Sequence, residues 1–194
     1  MSRLKGLLSG LLTRLRLNKV IKYVTDPGKL LDVGCDDAYL LGLLLKKNNP
    51  CLYVGVDNHQ ECINDCEEKF SDIGKEWAYF FVIDANEDLP FNNNNYDYVV
   101  LSAIIEHLNN FDNLLKELTR VTKDNSRIII TTPTRIADTV LKIGASIGLF
   151  ANDSLEEHVK YYSKKDFINL KGWELKKYQK FELGMNQLII LEKK

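Results

Sequence analysis

The fold of this chain is decided by residues 30–39, which read Leu-Leu-Asp-Val-Gly-Cys-Asp-Asp-Ala-Tyr. About two dozen residues later comes a second stretch of the same kind, Val54-Gly55-Val56-Asp57. Each is a short apolar run that ends in a carboxylate, and a leucine-rich helical pattern lies between them. In a parallel sheet this layout places both carboxylates at the carboxyl edge. There a glycine turn lets the backbone approach a nucleotide-type ligand, and the second acid can hold ribose hydroxyls.

The glycine count of the first stretch restricts the class of ligand. A dinucleotide fingerprint has three glycines and binds pyrophosphate at a helix N-terminus. In this sequence Gly34 fills one of the three slots, and Asp36 and Ala38 occupy the other two. Aspartates facing a pyrophosphate would repel it, whereas a cationic ligand without phosphate would tolerate them. S-adenosylmethionine is such a ligand, because it combines a sulfonium, an amino-acid tail and an adenosine.

Further motifs follow in order along the chain. They are Val82-Ile83-Asp84-Ala85, Leu89-Pro90-Phe91, Tyr96-Asp97-Tyr98-Val99-Val100, Ile105-Glu106-His107-Leu108, and Leu118-Thr119-Arg120-Val121 ahead of the apolar run 127–133. Together with the first two stretches, and in this order and spacing, they resemble the class I S-adenosylmethionine-dependent methyltransferases of the small-molecule type. The resemblance extends from about residue 20 to the C-terminus. Where relatives carry a Pro-Gly-Gly turn, this chain has Lys123-Asp124-Asn125-Ser126, which are also turn-forming residues.

The resemblance implies S-adenosyl-L-methionine as the cofactor and S-adenosyl-L-homocysteine as the product. It places the backbone near Gly34 against the methionine tail, Asp57 on the ribose hydroxyls, and Asp84 with the Ala85 amide against the adenine. Asp32 would act indirectly near the methionine, or simply form the turn. The complete set of expected cofactor-binding residues is Asp32, Gly34, Cys35, Asp36, Asp57, Asn58, Asp84, Ala85 and Ser102.

Composition fits one enzyme-sized domain. A chain of 194 residues that is 45% hydrophobic can bury its own core. The net charge of −1 gives no general attraction to nucleic acid. No apolar run is long enough to span a membrane, and the N-terminus lacks the features of a signal peptide. The four cysteines, Cys35, Cys51, Cys62 and Cys66, show no disulfide-scaffold spacing, so we expect a cytoplasmic protein.

Strand-like and helix-like patterns alternate along the chain. Strands are predicted near 29–34, 52–57, 78–83, 96–103 and 127–132, and helices at 38–47, 59–70, 111–122 and near 163–170. Continuous apolar strands separated by helices indicate a parallel sheet covered on both faces. Two final runs at 174–183 and 185–192, separated by Gly184, require antiparallel pairing. The predicted fold class is therefore α/β: a Rossmann-like, doubly wound, mostly parallel sheet with a C-terminal antiparallel hairpin, in three α/β/α layers.

Two regions outside the cofactor motifs are expected to determine the choice of acceptor. Residues 1–25 form a basic amphipathic helical segment, and residues 26–194 form the single methyltransferase domain. The basic segment either makes peripheral contact with an anionic membrane surface or packs over the sheet edge and the cofactor pocket. Within the domain, residues 134–162 are expected to form a lid or acceptor insertion. The apolar part of this insertion suits an apolar or lipid-linked acceptor and equally suits a homodimer contact.

Two histidines are candidate catalytic residues. His107 follows the fourth strand and His158 lies in the predicted lid, and either could take a proton from an acceptor hydroxyl. His107 could instead only position its loop or the substrate. Glu106 could bind the acceptor or pair with a local cation.

A metal site is also conceivable, because His59, Cys62 and Cys66 share one face of a predicted helix. A fourth ligand is missing from the sequence around them, and cysteines bury readily in a helix stripe. We therefore expect no metal.

The resulting expectation is methyl transfer from S-adenosylmethionine to an oxygen atom of a small-molecule, glycan or lipid-linked acceptor. A nucleic-acid methyltransferase of the same fold is one alternative, and a non-catalytic binding protein that kept the fold is another. The identity of the acceptor does not follow from fold or cofactor.

Overall fold

The carboxyl ends of five parallel strands define one edge of the sheet. The computed structural model of the chain describes residues 2–49, 51–74, 77–137 and 160–194. Within these residues the strands are β1 (Lys29–Val33), β2 (Leu52–Asp57), β3 (Ala78–Val82), β4 (Tyr96–Ser102), β5 (Thr122–Pro133), β6 (Trp173–Phe181) and β7 (Asn186–Lys193). They form a single sheet in the order β3-β2-β1-β4-β5-β7-β6. Strands β1 to β5 pair in parallel, and β7 runs antiparallel to both β5 and β6. The predicted fold class is confirmed.

Helices cover both faces of this sheet. They are α1 (Ser2–Val20), α2 (Tyr39–Lys46), α3 (Gln60–Lys69), α4 (Phe111–Val121) and α5 (Lys165–Ile168). Short 3-10 segments occupy Ile21–Tyr23, Ser71–Ile73, Ile105–His107 and Glu182–Gly184. The start of α4 shows why such a helix begins where it does. The Asn110 side chain accepts hydrogen bonds from the backbone N–H groups of Asp112 and Asn113, which would otherwise lack partners.

Two apolar clusters fill the space between the layers. Along β4 the side chains alternate, so that Val99 packs in the cluster under α4 while Val100 packs in the cluster under α1 and α2. Both faces of the strand are therefore buried, which is why its sequence is continuously apolar. Leu17 and Val20 of α1 are buried in the second cluster, so the C-terminal part of the basic segment packs on the sheet.

Two connections differ from the sequence-based expectation. The predicted turn at 123–126 lies inside β5, where the pairing with β4 shifts register between Tyr96 and Tyr98 and Asn125 adopts a φ of 62°. The link between β6 and β7 is longer than Gly184 alone, because the chain also turns through Glu182 and Leu183 with positive φ. Of the predicted lid at 134–162, residues 138–159 lie outside the described residues.

Candidate active site

The loop after β1 is held tightly against the neighbouring strands. The backbone N–H groups of Gly34 and Cys35 both donate to the Val56 carbonyl, at 2.8 and 3.0 Å. Gly34 has a φ of 73°, and a Cβ atom built on it would lie 2.5 Å from Ile104 Cδ1. Glycine is required here both by the left-handed backbone and by the close approach of the loop that follows β4. Asp36 and Ala38, in the other two glycine slots, also adopt positive φ, at 47° and 50°.

Asp57 joins this loop to the end of β2. One carboxylate oxygen accepts from the Asp36 backbone N–H at 3.2 Å, and the other accepts from the His59 backbone N–H at 3.0 Å. The Asp57 side chain is 11% exposed, so these bonds fix its direction at the mouth of the site. Asn58 beside it is exposed. The structure therefore brings the acid predicted to hold ribose next to the predicted methionine loop.

The loop after β3 is tied to the loop after β4. Asp84, which is exposed, accepts from both the backbone and the side-chain N–H groups of Asn86 at 2.9 Å. The Asn86 side-chain oxygen in turn accepts from the Asn109 backbone at 3.0 Å. Ala85 between them is buried. Ser102, at the end of β4, shares a 3.1 Å hydrogen bond with Thr131 of β5.

Asp32 is enclosed in the sheet rather than open to the loop. It is 3% exposed, and its carboxylate accepts a hydrogen bond from the Tyr53 hydroxyl at 2.6 Å. Burial raises the pKa of Asp32 to about 7, the bond from Tyr53 opposes this shift, and the charge of Asp57 adds to it. The partner of Asp32 is thus a side chain of β2. The sequence analysis, which considered Asp32 as a turn-forming residue, did not predict this contact.

Glu106 and His107 occupy the 3-10 segment after β4 and have different environments. Glu106 is 1% exposed and accepts from the Thr132 hydroxyl at 2.9 Å, and burial raises its pKa. His107 is exposed, and its backbone N–H donates to the Ile104 carbonyl. His158, the second predicted catalytic histidine, lies outside the described residues.

The helix face with His59, Cys62 and Cys66, where the sequence analysis expected no metal, divides into two parts. Ligand atoms of Asp57, His59 and Cys62 all lie within 4.8 Å of one another. Cys66 lies apart from this group, and its thiol donates to the Asp36 carbonyl at 3.0 Å. In the fold, the acid at the end of β2 therefore lies beside His59 and Cys62 in place of Cys66.

One residue of the site was missed by the sequence reasoning. The guanidinium of Arg16, on α1, interacts electrostatically with Glu106, Glu182 and Asp36. Nothing in the sequence separates Arg16 from the other basic residues of the segment 1–25. Its role depends on how α1 packs over the ends of β4 and β5.

A pocket of about 520 Å³ opens beside the end of β5. It is lined by Thr134, Arg135, Ile136, Tyr161, Tyr162, Ser163, Asp166, Tyr178, Lys180 and Gln187. Aromatic rings and cationic side chains therefore lie together at the same edge of the sheet as the carboxylates.

Comparison with known proteins identifies the family. A family model described as a methyltransferase domain matches residues 25–182. The chain belongs to the methyltransferase domain family. This methyltransferase is of class I, and its methyl donor is S-adenosylmethionine, which leaves as S-adenosylhomocysteine.

Individual relatives of the methyltransferase are distant. It is 32% identical over 104 residues to the fatty-acid O-methyltransferase of Mycolicibacterium smegmatis, covering 53% of this chain and 36% of that protein. It is 26% identical over 118 residues to the ubiquinone/menaquinone biosynthesis C-methyltransferase of Rickettsia prowazekii, covering 58% of this chain and 47% of that protein. The chain thus spans less than half the length of either relative.

A solved structure shows the same fold. The S-adenosylmethionine-dependent methyltransferase of Aquifex aeolicus superposes with a TM-score of 0.64 at 16% identity, covering 92% of this chain and 89% of that one.

None of the described helices is both long enough and apolar enough to cross a membrane.

Proposed function

We propose that this chain transfers the methyl group of S-adenosylmethionine to an oxygen atom of a small-molecule, glycan or lipid-linked acceptor. The observation that carries the proposal is the pocket of about 520 Å³ beside the end of β5. Pockets for small molecules typically have volumes of about 300 to 1,000 Å³. Residues 134–136 and 161–162 line the pocket, and both ranges belong to the predicted lid at 134–162.

The loops at the carboxyl edge fit the donor. The close approach of Ile104 to Gly34 fixes the path of the loop after β1, whose backbone would receive the amino-acid tail of the donor. Asp57 is oriented by two backbone N–H groups and would hold the ribose hydroxyls. Asp84 and the Ala85 amide would face the adenine. The negative charges of Asp36 and Asp57 suit a sulfonium ligand and would oppose a pyrophosphate.

Positioning accounts for much of the catalysis. Methyl transfer is an in-line displacement at a carbon that the sulfonium already activates, so holding the acceptor in line and excluding water supply much of the acceleration. An acceptor carboxylate is already ionised and needs no base. An acceptor hydroxyl needs one, and His107 after β4 is the candidate among the described residues, with His158 as the candidate in the lid.

The side chains of the pocket favour an acceptor with both an apolar body and a polar or anionic end. Tyr161, Tyr162 and Tyr178 offer aromatic faces, and Arg135 and Lys180 offer positive charge. The similarity to a fatty-acid O-methyltransferase supports the same combination and an oxygen nucleophile. Because the chain is also similar to a C-methyltransferase, an experiment must determine whether oxygen or carbon is methylated.

The first experiment measures donor binding by calorimetry. We expect S-adenosylmethionine and S-adenosylhomocysteine to bind the intact chain, and Asp57→Ala to lose that binding. Asp65→Ala is the matched control, because Asp65 is an exposed acid on α3. A well-folded chain that binds neither ligand would overturn the proposal and favour the non-catalytic binding protein.

The second experiment identifies the acceptor. S-adenosylhomocysteine formation is followed with fatty acids, hydroxylated aromatic compounds, glycans and glycolipids, using donor labelled with carbon-13 in its methyl group. A new O-methyl carbon signal in the product supports the proposal, and a C-methyl signal would contradict the oxygen assignment. Methylation of RNA together with salt-sensitive RNA binding would instead establish the nucleic-acid alternative.

A further inference from the structure

Three buried polar atoms at the carboxyl edge have no hydrogen-bond partner within the described part of the chain. They are Arg16 Nε, on α1, Glu106 Oε1, on the segment after β4, and Glu182 Oε1, on the connection between β6 and β7. The other Glu106 oxygen accepts from Thr132, which fixes the carboxylate against β5. Leaving a buried polar group without a partner is unfavourable, and more so if the group is charged. Arg16 Nε and Glu106 Oε1 are therefore candidates for contact with a ligand.

Tertiary packing brings the two groups together. Helix α1 contacts both β4 and β5, and Glu106 follows β4 directly. The Arg16 guanidinium interacts electrostatically with the carboxylates of Glu106 and Glu182 and also with Asp36, in the loop after β1. That loop is the one whose backbone would receive the methionine tail of the donor. Arg16 and Glu106 thus approach the same end of the donor site from two different elements.

The charges of these residues specify the chemistry that would satisfy them. Arg16 needs an acceptor, preferably an anion, while Glu106 needs a donor, preferably a cation. An α-amino-acid zwitterion offers both groups on one carbon atom. A simple acceptor carboxylate would pair with Arg16 and be repelled by Glu106, and a hydroxyl could hydrogen-bond to both but carries no charge to match either.

We propose that Arg16 and Glu106 form the subsite for the α-amino-acid end of the donor, Arg16 binding its carboxylate and Glu106 accepting from its ammonium group. This inference rests on the proposed function, because it concerns the same donor. Arg16 lies before residues 25–182, the part matched by the family model, so it is a contribution of α1 to the site. Helix α1 then supplies one wall of the subsite for the tail of the donor.

The first test needs no variant. The wild-type chain is titrated calorimetrically with S-adenosylmethionine and with its decarboxylated analogue, which keeps the ribose, adenine, sulfonium and ammonium. Loss of one charge-assisted interaction is expected to weaken binding about ten- to hundredfold. Equal affinities for the two ligands would overturn the role of Arg16.

The second test uses variants with two neutral-sulfur ligands. S-adenosylhomocysteine carries the amino-acid end and 5′-methylthioadenosine lacks it. We expect Arg16→Met and Glu106→Gln to weaken S-adenosylhomocysteine binding about tenfold or more while 5′-methylthioadenosine binding stays within about twofold. Arg14→Met is the matched control, since Arg14 is an exposed arginine on the same helix.

The outcomes separate this subsite from the donor site as a whole. If the variants lose affinity for both ligands equally, Arg16 and Glu106 have only a structural role and the inference is wrong. If they keep full affinity for S-adenosylhomocysteine, the subsite is elsewhere while the proposed function stands. If the wild-type chain binds neither ligand, the proposed function itself fails. Should Arg16→Met not fold, the wild-type comparison with the decarboxylated donor decides the question.

Discussion

The Tyr53 hydroxyl donates a 2.6 Å hydrogen bond to the Asp32 carboxylate across neighbouring strands. In the register of β1 and β2, Tyr53 stands opposite Leu30 and Asp32 opposite Gly55, so the bond runs diagonally between the strands. Both side chains are buried. The first acid of the nucleotide-type motif is thereby held inside the sheet, one strand away from Asp57.

The burial of Asp32 gives the stability of the protein a specific dependence on pH. The carboxyl of Asp32 ionises near 3.8 in an unfolded chain, whereas burial raises its pKa to about 7 in the fold. Between these values the folded protein binds more protons, so stability falls as the pH rises through that window and levels off above it. As the pH rises across this window, we expect the free energy of unfolding of the wild type to fall, relative to that of Asp32→Asn, by an amount on the order of 4 kcal/mol.

Urea unfolding of both proteins at a series of pH values checks this prediction. Tyr53→Phe removes a bond that lowers the pKa of Asp32, so it should move the upper limit of the window to higher pH. Parallel stability curves for wild type and Asp32→Asn would show that Asp32 does not titrate as described.

Any side chain at Gly34 should destabilise the protein as long as the Cδ1 methyl group of Ile104 is present. In Gly34→Ala the new Cβ would lie 2.5 Å from Ile104 Cδ1, on a backbone with a φ of 73°. The left-handed backbone alone costs about 1 to 2 kcal/mol, and the clash adds to this. Ile104→Val removes the clashing atom. In the double variant it should therefore restore only the part of the lost stability that the clash causes. Thermal or urea unfolding of the single and double variants measures both parts.

Gly42 provides a control for the glycine experiment. It lies inside α2, and a Cβ on it meets nothing within 4 Å. Gly42→Ala should therefore stabilise the protein by about 0.5 to 1 kcal/mol. If both alanine variants had the same effect, the contact between Gly34 and Ile104 would have no energetic importance.

Arg120 should hold the Leu89–Asn93 loop in place. Its guanidinium donates to the Leu89 and Phe91 carbonyls at 2.8 and 2.7 Å and to both oxygens of Glu117. We expect Arg120→Met to destabilise the protein by about 1 to 3 kcal/mol and to speed amide exchange in the loop. Arg120→Lys should restore little, because one ammonium cannot reach the same set of acceptors.

Lys116→Met is the control for the loop, since Lys116 is exposed on the same helix. Hydrogen exchange read by mass spectrometry separates the loop from the rest of the chain. Unchanged exchange across residues 89–93 in Arg120→Met would contradict the role given to Arg120.

Gln187 should act together with Tyr178 at the wall of the pocket beside the end of β5. Its side chain is 1% exposed, donates to the Tyr162 carbonyl at 2.8 Å and accepts from the Tyr178 hydroxyl at 2.9 Å. Gln187→Met should cost about 1 to 3 kcal/mol, because it leaves both partners unsatisfied, and Tyr178→Phe should cost less. In a double-mutant cycle the two losses should sum to more than the loss in the double variant. Strict additivity of the two values would exclude the coupling.

Local patterning in the sequence determined the order and type of the elements. The apolar runs before Asp32 and Asp57 became β1 and β2, and the 3.6-residue periodicity at 111–122 became α4. These predictions succeed because a strand buried on both faces or a helix buried on one face leaves its pattern in consecutive residues. The positions of Gly34 and Asp57 follow for the same reason, since the ends of parallel strands meet at one edge.

Only the tertiary structure decided which distant side chains meet. Tyr53 donates to Asp32, Arg16 comes under the electrostatic influence of Glu106 from about half the chain away in sequence, and Cys66 contacts the Asp36 carbonyl instead of joining His59 and Cys62. The inclusion of residues 122–126 in β5 likewise depends on pairing with β4. Such contacts depend on strand register and on the direction in which each helix crosses the sheet, and neither is encoded in a local pattern. For this reason the sequence predicted the loops of the proposed donor site, whereas only the packing of α1 shows that Arg16 lies near Glu106 and Asp36.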